Sequence, residues 1–238
     1  MIKADFVVKL GGSAITHKDA PLSANIPVME MTARELARVN ACKSRIVLVY
    51  GGGSFGHYVA RKHMAGGKVL SPTGAAEIRA AMISLTKVLT EAFLWQGIPI
   101  FCINPSSSLA FNEGRIANGE CLMNSVRIAL ENGLLPAVGG DVVLESGGGA
   151  RILSGDLIAR LLAKQLSAKS LLFGTDVDGV LGRDGELIPK VGISDLDRLV
   201  TRIGGRDGDV TGGMAGKLAE VRSYIEEGGK QAVIFALT

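Results

Sequence analysis

Six short apolar runs alternate with helix-like segments, and this alternation restricts the possible folds more than any other feature of the chain. The runs cover residues 6–10, 45–50, 98–103, 135–138, 170–173 and 231–237. Each is continuously apolar and most are rich in β-branched residues, which is typical of strands covered on both faces. Helical patterns cover 27–41, 57–64, 73–96, 120–132, 156–167, 194–203 and 214–227. We therefore predict an α/β fold with a mainly parallel sheet.

The chain shows no internal repeat and no sharp domain boundary. Its 238 residues are enough for one large domain, and we expect a single domain over 1–238 whose halves, meeting near residue 140, bind different ligands. The most linker-like stretch, Ser-Gly-Gly-Gly at 146–149, is predicted to be the tip of a hairpin.

Glycines gather where the predicted strands end. Of the 32 glycines, the clusters at these ends are 11–12, 51–53, 139–140, 174, 179 and 212–213. In open parallel sheets, ligands bind outside the carboxyl ends of the strands. Ordinary tight turns would explain one such cluster, but the recurrence favours an extended anion-binding site.

Overall composition indicates a protein without a nucleic-acid or membrane partner. Lysine and arginine number 26 against 23 acidic residues, and this small excess does not by itself favour nucleic acid. The first apolar run is too short for a signal peptide or a membrane span. Three widely spaced cysteines predict neither a disulfide framework nor a zinc site. We expect no protein-bound metal site and a cytoplasmic location.

Two lysines stand next to glycine-rich turns. Lys9 lies just before the end of the first strand and precedes Gly11, Gly12 and Ser13. Glycines let backbone N–H groups approach phosphate oxygens, and lysine adds a positive charge; a solvent-facing strand lysine is the alternative. Lys217 closes a turn at 211–217 that departs from the Walker A pattern at two positions, so a nucleotide-binding turn and a plain helix start both remain open.

The loop 51–57, Gly-Gly-Gly-Ser-Phe-Gly-His, follows the second strand. Its glycine spacing satisfies the dinucleotide-binding fingerprint, but the nearest following acid, Glu77, lies in a predicted helix instead of at a strand end. A Rossmann-type oxidoreductase is therefore disfavoured, while anion binding at a helix N-terminus remains favoured. His57 is predicted to lie in the first helical turn. Its side chain could bind phosphate, or it could cap or pack against the helix, and the sequence favours neither role.

Four aspartates complete the candidate site. Asp141 adjoins a predicted strand end, and Asp156 begins a predicted helix after Ser154. Each could have a purely structural role. A carboxylate near phosphate-binding lysines could also hold their ammonium groups in position and keep them charged. Asp176 and Asp178 lie in the segment 174–180, Gly-Thr-Asp-Val-Asp-Gly-Val. This segment could contact a nucleotide or magnesium, or it could be an ordinary Asp-Gly turn.

Taken together, the motifs resemble the amino-acid kinase superfamily. They are Lys-Leu-Gly-Gly-Ser at 9–13, Gly-Gly-Gly at 51–53, Thr-Asp-Val-Asp-Gly at 175–179 and Gly-Gly-Met-x-x-Lys at 212–217. Three segments, 51–57, 15–18 and 152–156, are most similar to the isopentenyl phosphate kinase branch, and the histidine at 57 is the most specific element. The resemblance spans about residues 6–235 and implies an open three-layer αβα sandwich.

The resemblance also implies roles for individual residues. Residues 1–140 would hold mainly the acceptor phosphate and residues 141–238 mainly the nucleotide. Lys18 would stabilise the transferring phosphoryl group, and Asp156 would organise the lysines, so Lys9, Lys18, His57 and Asp156 are the candidate catalytic residues. The acceptor phosphate would contact Gly52, Gly53, His57, Gly140 and Gly155. ATP would contact Lys9, Gly11, Gly12, Ser13, Gly53, Asp176, Gly213 and Lys217.

The implied reaction is phosphorylation of isopentenyl phosphate by MgATP, with ATP and Mg²⁺ as cofactors and a homodimer as the expected assembly. Fosfomycin-type phosphonate kinases carry a similar histidine and are the close alternative. A non-catalytic anion-binding protein of this fold is the alternative of another class. Met82, Ile83 and Leu94 are candidates for contact with the acceptor's tail. Leu181 stands where the family often has an aromatic residue, so the packing of adenine is expected to differ. The C-terminus is expected to be shorter than in family members, which would weaken ATP binding.

Overall fold

The computed structural model describes residues 2–40, 42–63, 70–182, 186–196, 199 and 213–237. Within these ranges, residues 193–196 are helical, while most of the helix predicted over 194–203 lies outside the described residues. The same is true of Thr211 and Gly212, the first two residues of the last glycine motif.

A six-stranded parallel sheet forms the centre of the molecule, and all six predicted strands are confirmed. The large-sheet strands are β1 (Phe6–Leu10), β2 (Ile46–Tyr50), β3 (Ile100–Ile103), β6 (Leu135–Gly139), β9 (Ser170–Thr175) and β10 (Ala232–Ala236). Their spatial order is β10-β9-β1-β2-β6-β3. Each neighbouring pair is parallel, so the carboxyl ends of all six strands lie at one edge.

Two short antiparallel hairpins accompany the large sheet. They are β4 (Ala110–Asn112) with β5 (Arg115–Ala117), and β7 (Asp141–Leu144) with β8 (Ala150–Leu153). Residues 146–149 lie at the tip of the second hairpin, as predicted. The four strands themselves were not predicted from the sequence, because runs of three or four residues carry too little periodicity to identify a strand.

Helices cover both faces of the sheet. They are α1 (Gly12–Ile15), α2 (Ile26–Arg38), α3 (Gly53–His63), α4 (Pro72–Trp95), α5 (Gly119–Glu131), α6 (Gly155–Gln165) and α7 (Gly213–Glu226). Helices α1 to α4 share one hydrophobic core with the sheet, and α5 to α7 share a second. The three-layer αβα arrangement is thereby confirmed.

Successive residues of the central strands face opposite cores. In β1, Val8 and Leu10 lie in the core beneath α1 to α4, whereas Val7 lies in the core beneath α5 to α7. Side chains alternate along a strand, so Lys9 projects to the same side as Val7, towards α6 and α7. This register explains how a lysine can lie inside an otherwise apolar strand.

Candidate phosphate-binding site

The loops that follow β1 and β2 pack against each other backbone to backbone. A methyl group added at Gly12 would lie 2.3 Å from the Gly53 nitrogen, and Gly53 itself has a φ of +48°. Neither position can accept a side chain without a shift of the backbone. Glycine is required at both positions because the two loops, each a candidate phosphate-binding segment, approach each other too closely for side chains.

Three charged side chains form a buried cluster on the α6 and α7 side of the sheet. The Lys9 Nζ lies 2.7 Å from the Asp156 Oδ1, and the Lys217 Nζ lies 3.3 Å from each carboxylate oxygen of Asp156. Each side chain is only 8% exposed. The Lys217 Nζ also lies 5.0 Å from the centroid of the Phe173 ring, within the range of a cation–π contact.

Burial and mutual attraction set the protonation of this cluster. Burial alone would raise the pKa of Asp156, but the neighbouring Lys9 and Lys217 ammonium groups outweigh it and hold the pKa below its usual value. Burial, reinforced by repulsion from Lys9, lowers the pKa of Lys217 to about 8. Two ammonium groups against one carboxylate leave an excess of positive charge, which suits an anionic ligand.

A cleft opens beside this cluster, with about 550 Å³ of empty space including its mouth. One part is lined by glycine backbone and by Lys9 and Asp156. Apolar side chains extend the lining, namely Ala60, Ile78, Met82 and Ile152. The same cleft can therefore take a compact anionic group and an apolar group joined to it.

Predicted acceptor-site residues meet in this cleft. Gly52, His57, Gly140 and Gly155 all line it, although they come from four separate segments of the chain. Gly53 is not among the residues that line the cleft and packs instead against Gly12. The predicted position of His57 in the first helical turn is wrong, because α3 begins at Gly53 and His57 opens the second turn.

A second group of predicted residues gathers at the end of β9. The Ser13 hydroxyl donates to the Asp176 Oδ1 at 2.6 Å, and the Lys18 ammonium group forms an ion pair with the other oxygen of the same carboxylate. Burial would raise the pKa of Asp176, but hydrogen bonds from Lys18 and Ser13 hold it below its usual value. The Lys18 side chain is 63% exposed and is not among the residues that line the cleft, whereas Lys9 is.

The remaining nucleotide candidates lie near these two groups. Gly11 donates its backbone N–H to the Gly174 carbonyl at 2.8 Å, which ties the β1 loop to the end of β9. Gly213 begins α7, the helix that carries Lys217. Leu181 forms an isolated bridge with Leu187 and is 43% exposed.

Asp141, which lines the cleft, takes part in an ion pair that the sequence did not reveal. The Arg79 guanidinium donates to the Asp141 Oδ2 at 3.0 Å, and the Ser106 N–H donates to the same oxygen at 3.4 Å. Burial raises the pKa of Asp141 despite these partners. Asp141 was considered as a site residue, but its partner lies 62 positions away on α4, and no local pattern connects them.

Of the three candidates for contact with the acceptor's tail, only Met82 lies at the cleft. Ile83 and Leu94 are 51% and 54% exposed and are not among the residues that line it. On a helix, adjacent residues differ by about 100° in direction, so an apolar run alone does not identify the buried face.

Within the described ranges, no group of three His, Cys, Asp or Glu side chains is placed to hold a metal ion. No described helix is long and apolar enough to span a membrane. All three cysteines are free thiols.

Comparison with known proteins identifies the class to which this fold and site belong. The model of the amino acid kinase family matches residues 6–236, and the chain belongs to that family. It is a phosphotransferase of the kinase type.

Similarity to one group within the family extends over nearly the whole chain. The isopentenyl phosphate kinase of Methanothermobacter thermautotrophicus is 33% identical over 97% of this chain and 90% of the relative. The isopentenyl phosphate kinase of Methanocaldococcus jannaschii is also 33% identical, over 91% of this chain and 86% of the relative. A crystal structure of an isopentenyl phosphate kinase superposes with a TM-score of 0.79 at 28% identity, covering 98% of this chain and 91% of that one.

Proposed function

We propose that this chain transfers the γ-phosphoryl group of ATP to isopentenyl phosphate, giving isopentenyl diphosphate and ADP. The observation that carries the proposal is the cleft, which places His57 and glycine backbone beside the apolar side chains of Ile78 and Met82. A short hydrocarbon monophosphate has a matching division into an anionic head and an apolar tail. The relatives named isopentenyl phosphate kinase support the same substrate.

The acceptor phosphate is assigned to residues that converge on the cleft. Its proposed contacts are Gly52, His57, Gly140 and Gly155, which line the cleft, together with Gly53, which follows Gly52 in the chain but is not among the lining residues. Residues 1–140 thus supply four of the five acceptor contacts, while residues 141–238 supply Asp176, Gly213 and Lys217 to the nucleotide site. His57 donates a hydrogen bond to a phosphate oxygen in this proposal, which is stronger than a bond to a neutral acceptor.

The nucleotide is assigned to the charged and glycine-rich groups around β1, β9 and α7. Its proposed contacts are Lys9, Gly11, Gly12, Ser13, Gly53, Asp176, Gly213 and Lys217. Asp156 holds the two buried ammonium groups towards the phosphates. In this proposal Lys18, whose side chain is 63% exposed, exchanges its present partner Asp176 for the transferring phosphoryl group.

Phosphoryl transfer needs positioning and charge more than it needs a base. The acceptor oxygen of a monophosphate is already anionic near neutral pH, so no carboxylate has to remove a proton from it. The cluster of Lys9, Asp156 and Lys217 has an excess of positive charge. This charge offsets the negative charge of the two phosphate-bearing substrates when they come together.

Magnesium fits this site as a companion of the nucleotide. Mg²⁺ keeps several waters and usually needs only one or two carboxylates besides phosphate oxygens. We therefore assign the ion mainly to the ATP phosphates. The ion supplies charge neutralisation on those phosphates when bound.

The reaction is tested by measuring ADP release with a panel of acceptors. Isopentenyl phosphate is compared with fosfomycin, acetylglutamate and uridylate at equal concentrations. We expect the highest kcat/KM with isopentenyl phosphate. Preferred turnover of fosfomycin would support the phosphonate-kinase alternative, and tight phosphate binding without ADP release from any acceptor would support a non-catalytic anion-binding protein.

We further propose that the enzyme is a cytoplasmic homodimer. Trp95 at the end of α4 is 83% exposed, and Phe101 on the edge strand β3 is 50% exposed. Helix α4 and strand β3 are in contact, so these apolar groups belong to neighbouring elements at one side of the sheet. Light scattering should give twice the chain mass, and Trp95→Asp should shift the mass towards that of a monomer; a monomeric wild-type protein would refute the dimer.

A further inference from the structure

The loops after β1 and β2 are joined by one buried hydroxyl group. Thr16 is 2% exposed, and its Oγ1 donates to the Gly12 carbonyl at 2.7 Å. The same oxygen accepts the N–H of Ser54 at 2.9 Å. Gly12 is the first residue of α1, at the end of the short turn after β1, whereas Ser54 lies in the first turn of α3, directly after the glycine turn that follows β2. Thr16 therefore makes one hydrogen bond to each segment.

Chemistry restricts which residue can make this link. The Gly12 carbonyl needs a donor and the Ser54 N–H needs an acceptor, and a hydroxyl group provides both from one atom. Valine has nearly the shape of threonine but provides neither. In a buried position, each unsatisfied group would cost roughly 1–3 kcal/mol, so the two loops would shift until their polar groups found other partners.

Surrounding contacts reinforce the link from the other side. The Ser54 Oγ donates to the Ser23 carbonyl at 3.2 Å and accepts the Ser23 N–H at 3.3 Å. Thr16 itself forms an antiparallel bridge with Ala24. The segment between Thr16 and Ala24, which carries Lys18, is thus fixed at both ends to the start of α3.

We propose that Thr16 is a positioning residue that sets the distance between the nucleotide loop and the acceptor-phosphate loop. This inference rests on the proposed function, because it assigns the β1 loop to the donor and the β2 loop to the acceptor. Thr16 touches neither substrate and acts through Gly12 and Ser54. In phosphoryl transfer a misplacement of about 1 Å can cost about a hundredfold in rate, so the link acts mainly on kcat.

The test compares Thr16→Val with Thr16→Ser and with a matched control. Thr32 is also buried, and its hydroxyl donates to the carbonyl four residues earlier at 2.7 Å, but it lies in α2 and does not join the two loops. Thr32→Val therefore removes the same kind of hydrogen bond from another place. Kinetics are measured well below the unfolding temperature of every variant.

We expect Thr16→Val to lower kcat by about ten- to a hundredfold while both KM values change by less than about threefold. Thr16→Ser keeps the hydroxyl and should remain within about threefold of wild type, as should Thr32→Val. Hydrogen exchange should also be faster at the Ser54 amide in Thr16→Val but unchanged in Thr16→Ser.

Two results would overturn the inference. One is an unchanged kcat in Thr16→Val, and the other is an equal loss in Thr16→Ser and Thr16→Val. The proposed function is judged separately by wild-type turnover of isopentenyl phosphate. An active wild type with an unaffected Thr16→Val refutes the positioning role alone, whereas an inactive wild type refutes the reaction and the positioning role together.

Discussion

At the scale of single residues, the buried carboxylate of Asp156 decides whether the two lysines can stay where they are. Lys9 and Lys217 are removed from water almost completely, and in the described part of the chain they share this one carboxylate as their acidic partner. A buried charge without its partner is strongly destabilising. The phosphates would supply further negative charge, but only when the substrates are bound.

Asp156→Asn should therefore lower the free energy of unfolding by about 3–5 kcal/mol in the absence of ligands. The amide keeps the shape but removes the charge between the two ammonium groups. Asp5→Asn is the control, because Asp5 pairs with the exposed Lys169 at 2.8 Å and such pairs contribute about 1 kcal/mol or less. Equal, small effects of both substitutions in chemical denaturation would contradict the role of Asp156.

The lowered pKa of Lys217 predicts a pH dependence. A lysine whose pKa is about 8 is charged below that pH and becomes neutral above it. The kcat/KM for ATP, which reports the free enzyme, should therefore fall as the pH rises above about 8. Lys217→Arg keeps the charge at any accessible pH, so the fall should disappear in this variant. A fall of the same size and midpoint in Lys217→Arg would assign it to another group.

His57 should distinguish the two substrates. Loss of one hydrogen bond to a charged phosphate is worth roughly 1.5–3 kcal/mol, so His57→Ala should raise the KM for the acceptor about ten- to a hundredfold. The KM for ATP should change much less, and it serves as the internal control. Equal increases in both KM values would remove His57 from the acceptor site.

At the scale of elements, the first turn of α6 supplies two residues of the site, Gly155 and Asp156. The Ser154 side chain accepts the Asp156 N–H at 3.2 Å, so this cap fixes the first turn of the helix at the position of Asp156 and Gly155. Helix α4 has an equivalent cap, in which the Ser71 side chain accepts the Gly74 N–H at 3.1 Å. Only the first of these caps borders the cleft.

The two caps make a matched pair of variants. Ser154→Ala and Ser71→Ala should each lower the free energy of unfolding by about 1 kcal/mol. Only Ser154→Ala should also reduce kcat/KM, because only its cap orients Asp156. Thermal unfolding and steady-state kinetics on both proteins measure this, and a similar loss of activity in Ser71→Ala would argue against a specific effect.

The elements also show what a sequence can and cannot predict. Continuous apolar runs identified every strand of the large sheet, because burial on both faces leaves a strong pattern. The start of α3 was placed four residues late, since Gly53 and Gly56 have poor helix propensity and conceal the first turn. The Arg79–Asp141 pair was missed because it depends on the packing of α4 against β7.

At the scale of the whole molecule, strand order explains why distant motifs form one site. Strand β1 lies between β9 and β2, so its loop touches the loops of both neighbours. Gly11 is bonded to Gly174 on one side, and Gly12 contacts Gly53 on the other. The sequence predicted that glycine loops would share one edge, but the order of strands, and hence which loops touch, came only from the structure.

The central claim is that a monophosphate carried by a short hydrocarbon is the phosphoryl acceptor. Phosphorus-31 NMR of the wild-type protein with MgATP and isopentenyl phosphate tests it most directly. We predict that the single monophosphate resonance is replaced by the two coupled resonances of a diphosphate, in step with the appearance of ADP. A monophosphate resonance that persists under these conditions, while the same protein phosphorylates another acceptor, would contradict the account.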